Sequence, residues 1–143
     1  LMVAARAQLV ATVIRPALDA GRIVLCDRYT DSTLAYQGGG RGLDAAMLAG
    51  WNASATGNLV PAVTLLFDVP ISVGLERRHA APGATNRLDR EPPDFHERVR
   101  ARYRELAAAD PARWSLLDAT VSTDELEARV WEVIGPRLAG ARG

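Results

Sequence analysis

The chain contains no lysine: all 17 of its basic residues are arginine, and they balance 17 acidic residues. A Walker-type phosphate loop needs the pattern Gly-x-x-x-x-Gly-Lys-Ser/Thr, in which the lysine reaches the outer phosphates of a nucleotide. These 143 residues therefore contain no such loop. A net charge of zero also provides no long-range field that would attract nucleic acid or a membrane surface.

Cysteine and long apolar runs are equally scarce. The single cysteine, Cys26, excludes an internal disulfide and a cysteine-based zinc site, and we expect it to be a reduced residue of the core. The apolar stretches fall short of the roughly 18 residues that span a bilayer, and no basic-then-apolar leader precedes them. We therefore expect a single soluble, cytoplasmic domain over residues 1–143.

Three short apolar runs, at residues 23–26, 63–68 and 114–118, predict buried parallel strands. Helical patterns separate them, at residues 1–19 and at about 43–57, 71–78 and 94–109. We expect Pro16 to kink the first helix and Gly21 to end it. A last helix is predicted to begin at a capping box formed by Ser122 and Glu125. Alternating helices and strands are typical of an α/β fold with a parallel sheet. Because the chain begins in a helix, we expect it to be the later part of a larger α/β domain.

The patterns also predict which side chains lie in the core or in solvent. In the 43–57 helix we expect one buried apolar stripe, formed by Leu43, Met47, Leu48 and Trp51. In the 94–109 helix we expect most of the arginines to be solvated and paired with Glu97 and Glu105. The arginines of this helix are Arg98, Arg100, Arg102 and Arg104. The glycines at 38–40 predict a flexible turn between two helices.

Residues 27–29 follow the first predicted strand with a carboxylate, a guanidinium and a phenol. Open α/β sheets bind their ligands beyond the carboxyl ends of the strands. Arg28 suits a phosphate there, because its planar fork donates two charge-assisted hydrogen bonds. Asp27 could hold a water on Mg²⁺, which binds few carboxylates and keeps several waters. The alternative is that Asp27 and Arg28 form a pair that only fixes the loop.

Several ordered groups of residues carry a family resemblance: Asp27-Arg28-Tyr29 with Ser32, Ala35-Tyr36-Gln37-Gly38, and Arg87-Leu88-Asp89-Arg90-Glu91 with Asp94-Phe95 and Tyr103. Over essentially its whole length the chain resembles a bacterial thymidylate kinase without its first part. The resemblance implies a three-layer, P-loop nucleoside monophosphate kinase-like fold, here without its N-terminal strands and phosphate loop. Since the missing first strand would lie between the strands at 23–26 and 63–67, we expect the chain alone to fold marginally.

The resemblance further implies a phosphotransferase that moves the γ-phosphoryl group of ATP onto dTMP, giving dTDP, with Mg²⁺ bridging the nucleotide phosphates. Relatives form homodimers, so a homodimer is expected. By resemblance, Arg28 holds the acceptor phosphate, and Asp27 organises either magnesium-bound water or the arginine itself. Two other function classes stay open: an inactive nucleotide-binding remnant, and a kinase of another acceptor.

Matching family positions also suggest how the nucleoside would be held. Arg6 and Gln37 match positions that hydrogen-bond the thymine ring, and Thr33 matches a small polar position beside it. Tyr36 matches a ring against the deoxyribose that disfavours a 2′-hydroxyl, and Met2 or Val3 stands where the family usually stacks a phenylalanine. Each residue also has a simpler interpretation: Gln37 as a loop cap, Tyr36 as core and Arg6 as a solvated helix residue.

Residues 79–93 match the family's lid, which closes over ATP and brings an arginine to the transferring phosphate. Arg87 is the best candidate for that arginine, followed by Arg77 and Arg78. We thus assign catalysis to Asp27, Arg28 and Arg87.

Overall fold

In a computed structural model of the protein, the described residues are 2–80, 88 and 90–140. The chain divides into two compact units, Leu1–Val60 and Pro61–Gly143. The first unit is helical in its described part, with these elements: α1 (Met2–Leu9), a π-helical segment (Val10–Ile14), α2 (Arg15–Asp19), α3 (Thr30–Thr33), a second π-helical segment (Leu34–Gly40) and α4 (Ala45–Thr56).

The predicted first helix is confirmed, although its backbone is not uniform. It runs without a gap through α1, the π-helical segment and α2, with Pro16 near the start of α2. The helix ends at Asp19, and Gly21, the predicted helix stop, follows two residues later with a φ of 69°. The N–H groups of Gly21 and Arg22 donate to the carbonyls of Leu18 and Ala17, each at 2.9 Å, which satisfies two of the last carbonyls of the helix.

The predicted strand at residues 23–26 is wrong. The segment belongs to no helix or strand, Ile23 is 67% exposed and Leu25 is 93% exposed. Cys26 is exposed as well, so its predicted place in the core is also wrong. An apolar run becomes a strand only where a neighbouring strand pairs with its backbone groups. Within the described residues, the two strands found pair only with each other, and residues 23–26 pair with neither of them.

The glycines at 38–40 lie at the end of the π-helical segment Leu34–Gly40, so the predicted turn at this point is helical instead. The helix α4 then begins after Asp44, whose carboxylate accepts the N–H of Met47 at 2.6 Å. It ends at Gly57, which adopts a φ of 57°. These end points agree with the predicted 43–57 helix.

The buried face of α4 differs from the predicted stripe. Leu48 is buried, but Leu43, Met47 and Trp51 are 46%, 39% and 50% exposed. The face that packs inward repeats every four residues and consists of Leu48, Asn52 and Thr56. Two of these three side chains are polar, and an apolar-stripe argument cannot find such a face.

The second unit contains a small parallel sheet with helices, and its elements are β1 (Thr64–Asp68), α5 (Ile71–Ala80), α6 (Pro93–Ala109), β2 (Trp114–Asp118) and α7 (Thr123–Gly140). All five were predicted, with ends that differ by one or two residues. Strands β1 and β2 are parallel neighbours with Thr64 opposite Trp114 and Asp68 opposite Asp118. Ser122 caps α7, since its Oγ accepts the N–H of Glu125 at 3.3 Å.

The architecture is therefore α/β, mostly helical, with a small parallel sheet. No helix in the described part of the chain combines the length and the apolar character needed to cross a bilayer.

We expect Leu48→Ala to lower the free energy of unfolding by about 2–5 kcal/mol, because the substitution leaves a cavity at a fully buried position. Trp51→Ala, on the exposed side of the same helix, should cost about 1 kcal/mol or less. Urea denaturation followed by circular dichroism measures both values. Equal losses would contradict the observed orientation of α4.

Candidate functional site

A buried arginine organises the first unit. Arg6, on α1, is 7% exposed. Its Nη1 donates to Thr33 Oγ1 at 2.8 Å and to Asn52 Oδ1 at 2.9 Å, and its Nη2 donates to the carbonyl of Tyr29 at 3.0 Å. One guanidinium thus joins α1 to α3, to α4 and to the loop that precedes α3. The interpretation of Arg6 as a solvated helix residue is wrong.

The surroundings of Arg6 stabilise its positive charge only partly. Burial lowers the pKa of Arg6, while the neighbouring Tyr29, Cys26 and Asp31 oppose that shift. The guanidinium also lies 5.8 Å from the centre of the Tyr29 ring, close enough for a cation–π contact. Among the described residues, the bonds to Thr33, Asn52 and Tyr29 use three of its five N–H donors.

Arg28 lies on an unusual backbone. Its φ is 59°, in the left-handed region that costs a residue with a Cβ roughly 1–2 kcal/mol. Its side chain is exposed, and the guanidinium carbon lies 5.1 Å from the centre of the Tyr36 ring. Strained backbone of this kind persists where the surroundings enforce it and is frequent at binding sites. Arg28 is therefore held against an aromatic ring with its charge available to solvent.

The π-helical segment Leu34–Gly40 carries two further candidate residues, Tyr36 and Gln37. Gln37 Nε2 lies 3.7 Å from the sulfur of Met2, while Gln37 Oε1 is buried without a hydrogen-bond partner among the described residues. A buried amide oxygen without a partner is costly in a folded protein. π-helical turns are frequent at functional sites, and this one presents an acceptor that a ligand could satisfy.

The structure thus brings the predicted nucleoside-binding residues together in pairs within one unit: Arg6 with Thr33, Arg28 with Tyr36, and Gln37 with Met2. Asp27 is exposed in the loop beside Arg28. Tyr29, the phenol of the same motif, instead packs into the core with Val10 and Ile14.

The predicted lid falls mostly outside the described residues, and Arg87 lies outside them. Arg78 is half-buried on α5. Arg77, on the same helix, donates to the carbonyls of Ala119 and Thr120 at 2.6 and 3.3 Å. In this structure Arg77 therefore supports the turn after β2, and its role toward ATP stays a prediction.

In the second unit, Asp68 at the end of β1 binds two arginines of α6. Arg100 forms a two-pronged contact, with Nε at 2.7 Å from Oδ1 and Nη2 at 2.9 Å from Oδ2, and Arg104 Nη1 lies 3.4 Å from Oδ2. We expected most arginines of this helix to pair with Glu97 or Glu105, and Arg100 forms its ion pair with Asp68 instead. The prediction is right for Arg102, which binds Glu105 at 2.8 Å.

A cleft of about 420 Å³ opens at the carboxyl ends of β1 and β2, and it is lined by Asp68, Pro70, Arg100, Leu116, Asp118 and Thr120. Asp118 accepts from both the N–H and the hydroxyl of Thr120, at 2.9 and 2.7 Å. These bonds lower the pKa of Asp118 because they stabilise its carboxylate. This end of a parallel sheet is where α/β proteins bind ligands.

Two features of the structure were not predicted from the sequence. The first is the inward position of Asn52, which was missed because the helix was oriented by its apolar residues. The four-residue spacing of Asn52 and Thr56 is the signal that could have revealed it. The second is the pair of Asp68 and Arg100, which lie 32 positions apart in the sequence. No local pattern connects that pair.

Comparison with known proteins identifies the family. The sequence profile of the family described as thymidylate kinase matches residues 1–130. The chain belongs to the thymidylate kinase family. It is 53% identical to the thymidylate kinase of Solidesulfovibrio magneticus, over 96% of this chain and 69% of that protein. It is also 53% identical to that of Thermomicrobium roseum, over 94% and 64%, and 46% identical to that of Pseudomonas syringae, over 100% and 68%.

The chain thus spans about two thirds of the length of these thymidylate kinases.

We expect Arg28→Gly to be more stable than Arg28→Ala by about 1 kcal/mol, because glycine adopts a φ of 59° without steric cost while alanine does not. Both substitutions remove the guanidinium, so the difference isolates the backbone. Denaturant unfolding measures it. Equal stabilities would show that the left-handed backbone at this position is not strained.

We expect Thr120→Val to raise the pKa of Asp118 toward its ordinary value, because the hydroxyl bond at 2.7 Å is lost. The shift should be partial, since the N–H of residue 120 still donates. A ¹³C NMR titration of the Asp118 carboxyl carbon measures it, with Thr123→Val as the matched control. An unchanged titration midpoint would contradict the assigned cause.

Proposed function

We propose that the intact protein transfers the γ-phosphoryl group of ATP to dTMP and releases dTDP. The observation that supports this most is that the first unit contains both the exposed guanidinium of Arg28, on a strained backbone, and the buried polar side chains of Arg6 and Thr33. Arg28 supplies the charge for a phosphate, and the pair of Arg6 and Thr33 supplies directional hydrogen bonds for a base.

The hydrogen-bonding character of Arg6 favours thymine over cytosine. Thymine presents a carbonyl oxygen at its 4-position, which accepts a hydrogen bond, whereas cytosine presents an amino group there. A guanidinium can only donate. Two N–H donors of Arg6 have no partner among the described residues. They would therefore bind the carbonyl oxygen of thymine but would face the amino group of cytosine, which is also a donor.

Three residues would complete the nucleoside site. Tyr36 and Gln37 follow Thr33 by three and four positions, so each lies about one helical turn beyond Thr33. Tyr36 would lie against the deoxyribose, and the unpartnered oxygen of Gln37 would accept the N–H of the thymine ring. Met2, which contacts Gln37 and is 54% exposed, would cover the face of the ring.

Phosphoryl transfer depends on alignment and on positive charge around the moving group more than on covalent chemistry of the protein. Arg28 would hold the acceptor phosphate, and its contact with Tyr36 would limit the directions in which it can point. Mg²⁺ would neutralise part of the charge on the nucleotide phosphates. Asp27 would hold the ion through a water, because Mg²⁺ binds few carboxylates and keeps several of its waters.

The donor half of the proposed reaction depends on the lid at residues 79–93. Its Arg87 would reach the transferring phosphate when the lid closes. We also propose a cytoplasmic homodimer, as the family resemblance implies.

The proposal predicts tight, base-selective binding of a monophosphate. Isothermal titration calorimetry should show that dTMP binds better than dCMP and better than thymidine. Arg28→Ala should weaken dTMP binding by about 2 kcal/mol, because a charge-assisted hydrogen bond to phosphate is lost. Arg22→Ala, which removes an exposed arginine outside this site, should leave the affinity unchanged.

Equal weakening by both arginine variants would remove Arg28 from the site, and equal affinity for dTMP and dCMP would defeat the thymine assignment. A coupled assay for dTDP, with ATP and Mg²⁺ present, then separates a kinase from a protein that only binds the nucleotide. Binding without dTDP formation would overturn the proposed transfer.

A further inference from the structure

Asn52 lies on the inward face of α4 and is 4% exposed. Its Oδ1 accepts from Arg6 Nη1 at 2.9 Å, and its Nδ2 donates to the carbonyl of Thr30 at 3.1 Å. The two ends of one amide thus connect the arginine of α1 to the first residue of α3.

The two partners fix the orientation of this amide. If the amide were reversed, its NH₂ group would face the guanidinium, which has no acceptor, and its oxygen would face the Thr30 carbonyl, which has no donor. Both contacts would become repulsive at a buried position, so only one orientation is compatible with the fold. Asn52 therefore presents a fixed acceptor to Arg6.

That fixed acceptor constrains the rest of the guanidinium, because its five N–H groups lie in one rigid plane. With Nη1 held by Asn52 and Thr33, and Nη2 held by Tyr29, the directions of the two remaining N–H groups are set. The hydroxyl of Thr33 accepts from Arg6, which leaves its own hydrogen free to donate elsewhere. Hence both polar groups proposed to contact the base take their orientation from this network.

We propose that Asn52 is a positioning residue for base selection: it orients Arg6 so that the free N–H groups select a carbonyl over an amino group on the pyrimidine. This inference depends on the proposed function, because it assigns a role within the same nucleoside site. Asn52 does not touch the nucleotide. It acts through Arg6.

Thr56 provides a matched control on the same helix face, one turn further along. It is 2% exposed, and its Oγ1 donates to the backbone carbonyl of Asn52 at 2.9 Å. A change at Thr56 disturbs the same packing surface while it leaves the contact between Asn52 and Arg6 in place. A purely structural role for Asn52 predicts that variants at both positions behave alike.

The test compares dTMP and dCMP affinities by isothermal titration calorimetry, with melting temperatures recorded for every variant. Asn52→Leu and the smaller Asn52→Ala remove the acceptor and should reduce the ratio of dTMP to dCMP affinity by about tenfold. Asn52→Asp keeps an acceptor toward Arg6, so the affinity ratio should stay within about threefold of the unchanged protein. Its second oxygen faces the Thr30 carbonyl and should lower the melting temperature. Thr56→Val should lower the melting temperature without changing the ratio.

The proposal is overturned if Asn52→Leu and Asn52→Ala lower only the melting temperature and keep the affinity ratio, while the thymine preference of the unchanged protein still supports the proposed function. If Asn52→Leu does not fold, Asn52→Ala decides by the same criterion. If the unchanged protein shows no preference for dTMP, the proposed function fails and this inference fails with it.

Discussion

The first unit depends on the burial of one positive charge. Arg6 is a single side chain on α1, yet it is hydrogen-bonded to Thr33, Asn52 and Tyr29, which lie on three different parts of the chain. A buried guanidinium without partners would be strongly destabilising, so the elements that supply its acceptors must assemble together. The polar inward face of α4 follows from this requirement, since a helix packed on an arginine must offer it an acceptor.

The candidate site also contains irregular backbone. Arg28 adopts a left-handed conformation, and Tyr36 and Gln37 lie on a π-helical segment. Neither feature stabilises the chain, and each is compensated by neighbouring packing and hydrogen bonds. In the second unit, the ion pair of Asp68 with Arg100 also links two elements through a charged side chain: it joins the carboxyl end of β1 to α6.

Several predictions from the sequence failed for one reason: they treated local pattern as if it fixed the environment. Residues 23–26 have the composition of a buried strand, but a strand needs a paired neighbour, and Leu25 is 93% exposed. Met47 and Trp51 belong to an apolar stripe, but the face of α4 that packs inward is the one that carries Asn52, the partner of Arg6. Arg100 has Glu97 three positions before it on its own helix, but it forms a two-pronged contact with Asp68.

The sequence by itself determined the helices, the two paired strands, the caps at Gly21 and Ser122 and the motifs that mark the family, because these depend on neighbouring residues and on short-range periodicity. It also identified Arg28, Tyr36 and Gln37 as candidates. Only the tertiary structure decided that Arg6 is buried, that Asn52 accepts a hydrogen bond from it and that Arg28 is strained. Those properties arise from contacts between residues distant in sequence, and no local pattern encodes such contacts.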